Sequence, residues 1–167
     1  PTSDYATQTA CRINTKVLLS RTSEVSMNIK FSDVLDLFEL VNFGSPFEHE
    51  GYICKESGKT YFYSEFGDNE EELPDDISDE KYLAIPYKNE LNLGNNLAFD
   101  FTLEYLPTEY EKVRSIFNRK GAYARFKSLL ESADKIEEWY EFQAKRTEEA
   151  LREWCTEQGL NNQQLSC

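Results

Sequence analysis

The sequence is poor in the residues from which most metal and catalytic sites are built. It contains one histidine, His49, and four cysteines that form no C-x-x-C pair. Structural zinc sites take four Cys or His ligands, usually in closely spaced pairs, so this residue set excludes a zinc-binding motif. We therefore predict neither a metal site nor a cofactor, and we interpret His49 as a structural or solvated side chain.

The glycine-containing motifs of nucleotide and acyl chemistry are also missing. The chain has neither G-x-G-x-x-G nor G-x-S-x-G, which excludes the dinucleotide fingerprint and the nucleophile elbow. The run Ser57-Gly58-Lys59-Thr60 resembles the end of a phosphate-binding P-loop, but that loop needs a glycine where this chain has Ile53. We predict no catalytic residues, and a hydrolase built on carboxylates is the weakest alternative.

Long hydrophobic runs are absent too. A membrane-spanning helix needs roughly 18 or more apolar residues in a row, and the longest apolar run near the N-terminus is Val17-Leu18-Leu19. That run is also shorter than the core of a secretory signal. Four dispersed cysteines in a chain of this length favour reduced thiols, with Cys54 and Cys155 in the core. We therefore predict a cytoplasmic protein that does not contact a membrane.

Basic residues are outnumbered by acidic ones. The chain has 18 Lys and Arg against 31 Asp and Glu, for a net charge of −13. Nucleic-acid phosphates are bound by local Lys and Arg, so we expect no DNA partner. One interpretation of the charge is solubility alone. The other is a basic protein partner, or mimicry of a nucleic acid.

The length of 167 residues is typical of one domain. We interpret residues 1–28 as a polar leader or extension, 29–160 as a single domain and 161–167 as a tail. Met27 is the only methionine, so one hypothesis places the natural start there, and the other makes the leader part of a longer protein. If the leader is ordered, we expect residues 11–19 to pair as an edge strand.

Two short runs in the first half predict a small antiparallel sheet. Aromatic and β-branched residues at 51–54 and 60–64, joined through Gly58, predict a β-hairpin. A third strand is predicted over 82–87. Pro86 either places that strand at an edge or ends it, because proline cannot donate to the sheet ladder.

The remaining pattern is helical. Apolar residues at three- and four-residue steps predict a first helix over 29–41, with Ser32 or Asp33 as its N-terminal cap. The same reasoning predicts later helices over 97–106, 107–117, 122–133 and 135–158. Together with the sheet this is an α+β fold, in which about three antiparallel strands pack on four to five helices.

The long last helix should form much of the core. Its surface carries Glu141 with Lys145 and Glu148 with Arg152, which are favourable pairs four residues apart. Gly159 is typical of the residue that ends a helix. The predicted core anchors are Phe126, Trp139, Tyr140, Phe142 and Trp154.

Charge is segregated along the chain. Residues 65–80 hold nine acidic and no basic side chains, whereas residues 112–127 hold six of the 18 basic ones. Arginine and a neighbouring aromatic ring can bind phosphate and stack on a base, so the candidate binding residues are Arg119, Lys120, Tyr123, Arg125 and Lys127. The alternative is that the basic segment pairs with the acidic loop or the last helix, with Tyr123 and Phe126 in the core.

Three motifs in the second half carry a family resemblance. They are G-A-Y-A-R-F-K at 121–127, W-Y-E-F at 139–142, and E-W-C at 153–155 followed by Gly159-Leu160. With a weaker match in the first half, the chain resembles the uncharacterised bacterial protein family 0158 over about residues 29–160. It departs in having Tyr123 where Phe is common and in its longer acidic loop. The resemblance implies a small bacterial cytoplasmic protein and supplies no activity.

Three functions are therefore open. The first is a non-enzymatic acidic module that binds a protein partner or a second copy of itself, as a homodimer. The second is RNA or nucleotide-phosphate binding through residues 112–127, and the third is the carboxylate hydrolase. An origin in a mobile gene cassette would also suit a small acidic protein of this kind.

Overall fold

A computed structural model describes residues 29–45, 47–67, 69 and 71–160. Along the chain the elements are α1 (Phe31–Val41), β1 (His49–Cys54), β2 (Thr60–Ser64), β3 (Tyr82–Ala84), α2 (Asn95–Tyr105), a 3-10 turn (Pro107–Glu109), α3 (Tyr110–Phe117), α4 (Ala122–Ser132) and α5 (Ile136–Glu157). The predicted α+β class, the three antiparallel strands and the long C-terminal helix are confirmed. The predicted leader strand at 11–19 and the tail lie outside the described residues.

The strands form one antiparallel sheet in the order β2-β1-β3. The hairpin turns through Gly58, whose φ of +73° suits glycine. The predicted third strand is shorter than expected and ends at Ala84. It lies at the edge of the sheet and ends before Pro86, and the backbone N–H of Ile85 donates to the carbonyl of Gly51 at 2.8 Å.

Helix α1 packs directly on the central strand. Its buried face consists of Phe31, Val34, Leu37, Phe38 and Val41, with Leu35 only half-buried. The predicted cap is wrong, since Lys30 is the N-cap residue and no side chain caps the helix. The Ser32 hydroxyl instead donates to Asp33 Oδ1 at 3.2 Å.

An aromatic cluster fills the space between α2, α4 and α5. The ring of Trp139 lies edge-on to Phe101 at 5.3 Å and to Phe126 at 5.1 Å, while Phe142 lies 5.3 Å from Phe101. Such edge-to-face pairs stabilise a core beyond the area they bury. Trp154 is buried at the far end of α5.

Tyr140 does not join this core, and its prediction as a core anchor is wrong. Its side chain is 44% exposed. Successive residues of a helix are about 100° apart around the axis. The buried face of α5 is set by Trp139 and Phe142, which leaves Tyr140 at the edge of that face, beside the binding site described below.

The end of α5 and its surface pairs follow local rules. Gly159 has φ +74°, and the N–H of Leu160 donates to the Cys155 carbonyl at 2.8 Å, which is the hydrogen bond of a Schellman motif. Arg152 pairs with Glu148 at 2.8 Å as predicted. The other predicted pair, Glu141 with Lys145, does not form among the described residues. Lys145 instead lies 3.9 Å from Glu149. Within the residues that the structure describes, no helix is long and apolar enough to cross a bilayer.

Candidate binding site

Two adjoining depressions open where the end of α1 and the 85–95 connection meet α4 and α5. The first, which we call the inner cleft, has a volume of about 450 Å³. Its polar lining includes Asn42, Lys88, Asn89, Asn95, Lys127 and Gln143, and Trp139 lies beside them. This volume is within the range typical of small-molecule sites.

The second depression, which we call the outer groove, runs between α1 and α5. It has a volume of about 440 Å³ and shares Asn42, Lys88 and Gln143 with the inner cleft. Its remaining lining residues are Leu35, Phe38, Glu39, Phe43, Tyr140, Ala144, Thr147 and Glu148. The outer groove is therefore mixed in character, because apolar and aromatic side chains lie beside polar ones, two carboxylates and the Lys88 ammonium.

Asn42 joins the two depressions structurally. Its side-chain amide donates to the carbonyl of Phe38 at 2.9 Å and to that of Pro86 at 3.4 Å. Its side-chain oxygen accepts from the backbone N–H of Lys88 at 2.7 Å. One side chain thus ends α1 and holds the 85–95 connection against it, which is what places Lys88 between the two depressions.

Lys88 is the buried charge of the site. Its Nζ donates to the backbone carbonyl of Asn42 at 3.3 Å. Partial burial lowers the pKa of Lys88 below its ordinary value, and the more distant carboxylate of Glu39 offsets this only in part. A desolvated ammonium group of this kind gains from an anionic ligand.

Lys127 and Tyr123 come from α4 and face the same cleft. The ammonium of Lys127 lies 5.5 Å from the centre of the Tyr140 ring, a cation–π contact. Tyr123 packs edge-on against Phe117 at 5.2 Å, and burial raises the pKa of its hydroxyl. Both side chains were predicted as binding residues from the sequence, and both line the inner cleft.

The other three predicted binding residues lie elsewhere. Arg119 and Lys120 are in the exposed turn before α4, and Arg125 is on the exposed face of that helix. None of the three lines the inner cleft or the outer groove. The basic segment is therefore divided between a cleft-lining part and a solvent-facing part.

Among the described residues the basic segment does not pair with the acidic loop, whereas Lys127 does contact Tyr140 of the last helix. Lys112 pairs with Glu109 at 2.9 Å and Arg114 with Glu111 at 3.6 Å, both within one turn of the same stretch of chain. The acidic loop pairs with other lysines, namely Lys59 with Glu71 and Lys81 with Asp76. Phe126 is fully buried, as the alternative expected, but Tyr123 is 41% exposed.

His49 is a buried side chain at the start of β1. Its ring lies 5.4 Å from Phe62 and 6.2 Å from Phe66, and it is 8% exposed. Its Nδ1 has no hydrogen-bond partner among the described residues. No group of three His, Cys, Asp or Glu side chains that could hold a metal ion occurs in the described part of the chain.

Cys54 and Cys155 are free and buried, as predicted. Burial raises the pKa of Cys155 to about 11. Burial acts in the same direction at Cys54, but hydrogen bonds from Ser57 and Glu56 together leave its pKa below the ordinary value. The pKa values of the two thiols are therefore shifted in opposite directions although both are buried.

Comparison with known proteins identifies the family. Residues 27–165 match the uncharacterised protein family UPF0158. The chain belongs to this family. The predicted resemblance is thus confirmed over most of the UPF0158 chain, and both depressions lie inside the matched region. No curated protein and no solved structure matches it.

Sequence analysis did not identify Asn42, at the end of α1, or the lining residues that lie in the 85–95 connection of this UPF0158 chain. Asn42 and Lys88 follow no motif, and Gly94 and Asn95 stand in a run of turn-forming residues. The only available signal was that Lys88 is an isolated basic residue between an acidic loop and a helix. Such a signal does not say what the side chain faces.

Proposed function

We propose that this UPF0158 protein is a non-enzymatic binding module whose outer groove holds an amphipathic helical segment of a protein partner. The observation that carries the proposal is a pair of exposed aromatic side chains in the groove lining. Phe43 is 74% exposed and Tyr140 is 44% exposed, and both line the groove together with Leu35 and Phe38. Exposed aromatic side chains grouped around a depression are typical of interaction surfaces.

The shape and chemistry of the outer groove favour a helix with basic flanks. The groove lies along α1 and α5, and an amphipathic helix binds such a surface with its apolar face. Glu39 and Glu148 are both exposed lining residues of the groove, and Glu148 already pairs with Arg152. With a net charge of −13 on the whole chain, the carboxylate of Glu39 would attract a cationic segment and speed its association.

The setting proposed for this interaction is the bacterial cytoplasm. The free, buried thiols of Cys54 and Cys155 suit a reducing compartment. The alternative occupant of the groove is a second copy of the chain, which would make a homodimer. Light scattering distinguishes that case, because a homodimer held through the groove should become monomeric when Phe43 is changed to Ala.

The proposal is tested by titrating the full chain into a fluorescently labelled amphipathic Leu/Lys helix and following anisotropy. We expect saturable binding that Phe43→Ala and Tyr140→Ala each weaken at least about tenfold, since buried aromatic anchors contribute about 2 kcal/mol or more to an interface. Phe66→Ala is the matched control, because Phe66 is 67% exposed and lies outside the groove. Arg125→Ala should also leave binding unchanged.

Two results would refute the proposal. One is the lack of saturable binding to the Leu/Lys helix together with a monomer in light scattering. The other is equal weakening by the groove variants and by Phe66→Ala, since that would mean general hydrophobic adsorption. Loss of binding on Arg125→Ala would instead support the alternative in which the solvent-facing basic residues bind RNA.

A further inference from the structure

The charge of the inner cleft is opposite to that of the chain. The chain has 31 carboxylates and 18 basic side chains, yet the described residues that line the cleft include Lys88 and Lys127 and no Asp or Glu. Lys88 is only half-exposed, and its pKa is lowered by burial. The half-buried ammonium of Lys88 therefore gains from an anion in the cleft, and the exposed ammonium of Lys127 adds positive charge there.

The N-terminus of α2 opens at the same cleft. Gly94 and Asn95, at the start of this eleven-residue helix, line the cleft, and no side chain caps the helix. The backbone N–H groups of Asn95 and Asn96 have no acceptor among the described residues. Free N–H groups at a helix start carry partial positive charge and bind phosphate groups.

A buried hydrogen-bond donor in the wall supplies an independent sign of a missing ligand. Trp139 lines the cleft, is 1% exposed, and its indole N–H finds no acceptor among the described residues. Buried donors are nearly always satisfied, so this unpaired donor on a residue that lines the cleft is consistent with an acceptor supplied from outside the chain. An anionic oxygen is the strongest acceptor that could meet it.

We propose that the inner cleft binds the phosphate group of a small phosphorylated organic molecule. Lys88, Lys127 and the first-turn amides of α2 hold the phosphate, and the indole N–H of Trp139 donates to the ligand. A phosphate alone leaves most of the cleft of about 450 Å³ unfilled. The remaining space is bounded in part by Val41, Leu93 and Tyr123, which suits an organic group attached to the phosphate.

Isothermal titration calorimetry on the full chain tests this with four probes: inorganic phosphate, adenosine monophosphate, ribose 5-phosphate and adenosine. We expect saturable binding of at least one phosphorylated organic probe, weaker binding of inorganic phosphate that competes with it, and no binding of adenosine. The proposal is overturned if none of the phosphorylated probes binds, or if adenosine binds as tightly as its monophosphate.

Variants separate the cleft from general charge effects. Lys127→Ala should weaken binding at least about tenfold, which corresponds to about 1.4 kcal/mol, whereas Lys112→Ala should not change it. Lys112 is a matched control because it is exposed, pairs with Glu109 and lies outside the cleft. Trp139→Phe, which keeps an aromatic ring but removes the N–H, should also weaken binding.

If Lys127→Ala and Lys112→Ala weaken the calorimetric affinity equally, the proposal is overturned, because the binding would then depend on long-range electrostatics and not on the cleft. Lys127 lies on an exposed helix face, so its variant tests the site even if a change at the half-buried Lys88 disturbs folding. Phosphate binding and peptide binding fail independently, because Phe43 does not line the inner cleft. Phe43→Ala should therefore leave the calorimetric affinity unchanged.

Discussion

Gly51 lies close beneath α1, and replacing it should move the helix. A Cβ atom at this position would lie 2.6 Å from Val41 Cγ2 and 2.9 Å from Leu37 Cγ. Both side chains are buried, at 1% and 4% exposure, so neither can swing into solvent. The contact therefore has to be relieved by shifting α1 away from β1.

The expected cost of Gly51→Ala follows from two opposing effects. Overpacking a core costs about 1–3 kcal/mol, while removing a glycine from the unfolded chain returns about 0.4–1 kcal/mol. We therefore expect a net destabilisation of about 1–2 kcal/mol. For a chain of this size that lowers Tm by about 2–8 °C, since each kcal/mol shifts Tm by about 2–4 °C.

A double-mutant cycle with Val41→Ala shows whether the clash is the cause. The single change Val41→Ala removes two buried methyl groups, which costs about 1.6 kcal/mol before any cavity forms. In the double variant the new Cβ fills part of the vacated space, so the total loss should be smaller than the sum of the two single losses. The assay is urea unfolding followed by circular dichroism. Unchanged stability of Gly51→Ala, or strict additivity in the cycle, would refute the reasoning.

Three further predictions concern the core, a tyrosine and the thiols. Trp154→Ala should cost about 3–5 kcal/mol because Trp154 is 8% exposed, and an unchanged melting temperature would contradict its place in the core. The hydroxyl of Tyr52 donates to Glu50 Oε2 at 2.6 Å, which raises the pKa of Tyr52 to about 12. The contribution of this hydrogen bond to folding stability is complete below the unfolded tyrosine pKa of about 10 and is lost as pH rises towards about 12. Ultraviolet titration should show a lower pKa of Tyr52 in the Glu50→Gln variant. In a variant whose other cysteines are serine, maleimide should label Cys54 before Cys155 at pH 8. Mass spectrometry of the labelled peptides measures this order, and earlier labelling of Cys155 would contradict the prediction.

Much of the fold could be predicted because its signals are local. Three- and four-residue apolar spacing indicated α1 and α5, and the chain indeed forms helices Phe31–Val41 and Ile136–Glu157 there. The glycine between two aromatic runs indicated the hairpin, which pairs in register from His49 with Ser64 to Ile53 with Thr60. Local rules were less reliable where several residues compete, as at the cap of α1.

Side-chain direction on α5 required the neighbouring helices. Tyr140 and Trp139 are adjacent and both aromatic, so periodicity alone did not separate a core residue from a rim residue. The rings of Phe101 and Phe126, on α2 and α4, pack against Trp139 and so set the rotation of α5. Tyr140 then faces the outer groove.

The amino-acid sequence by itself determined the fold class, most of the helices and strands, the family and the segregation of charge, since each of these depends on the order and spacing of residues along the chain. Only the tertiary structure decided which charges share a site. Lys88 and Lys127 are far apart in sequence but line one cleft with the start of α2 and the indole of Trp139, while Arg119 and Arg125 point to solvent. The physical reason is that a binding site depends on the through-space packing of α1, α2, α4 and α5, and no local pattern records that packing.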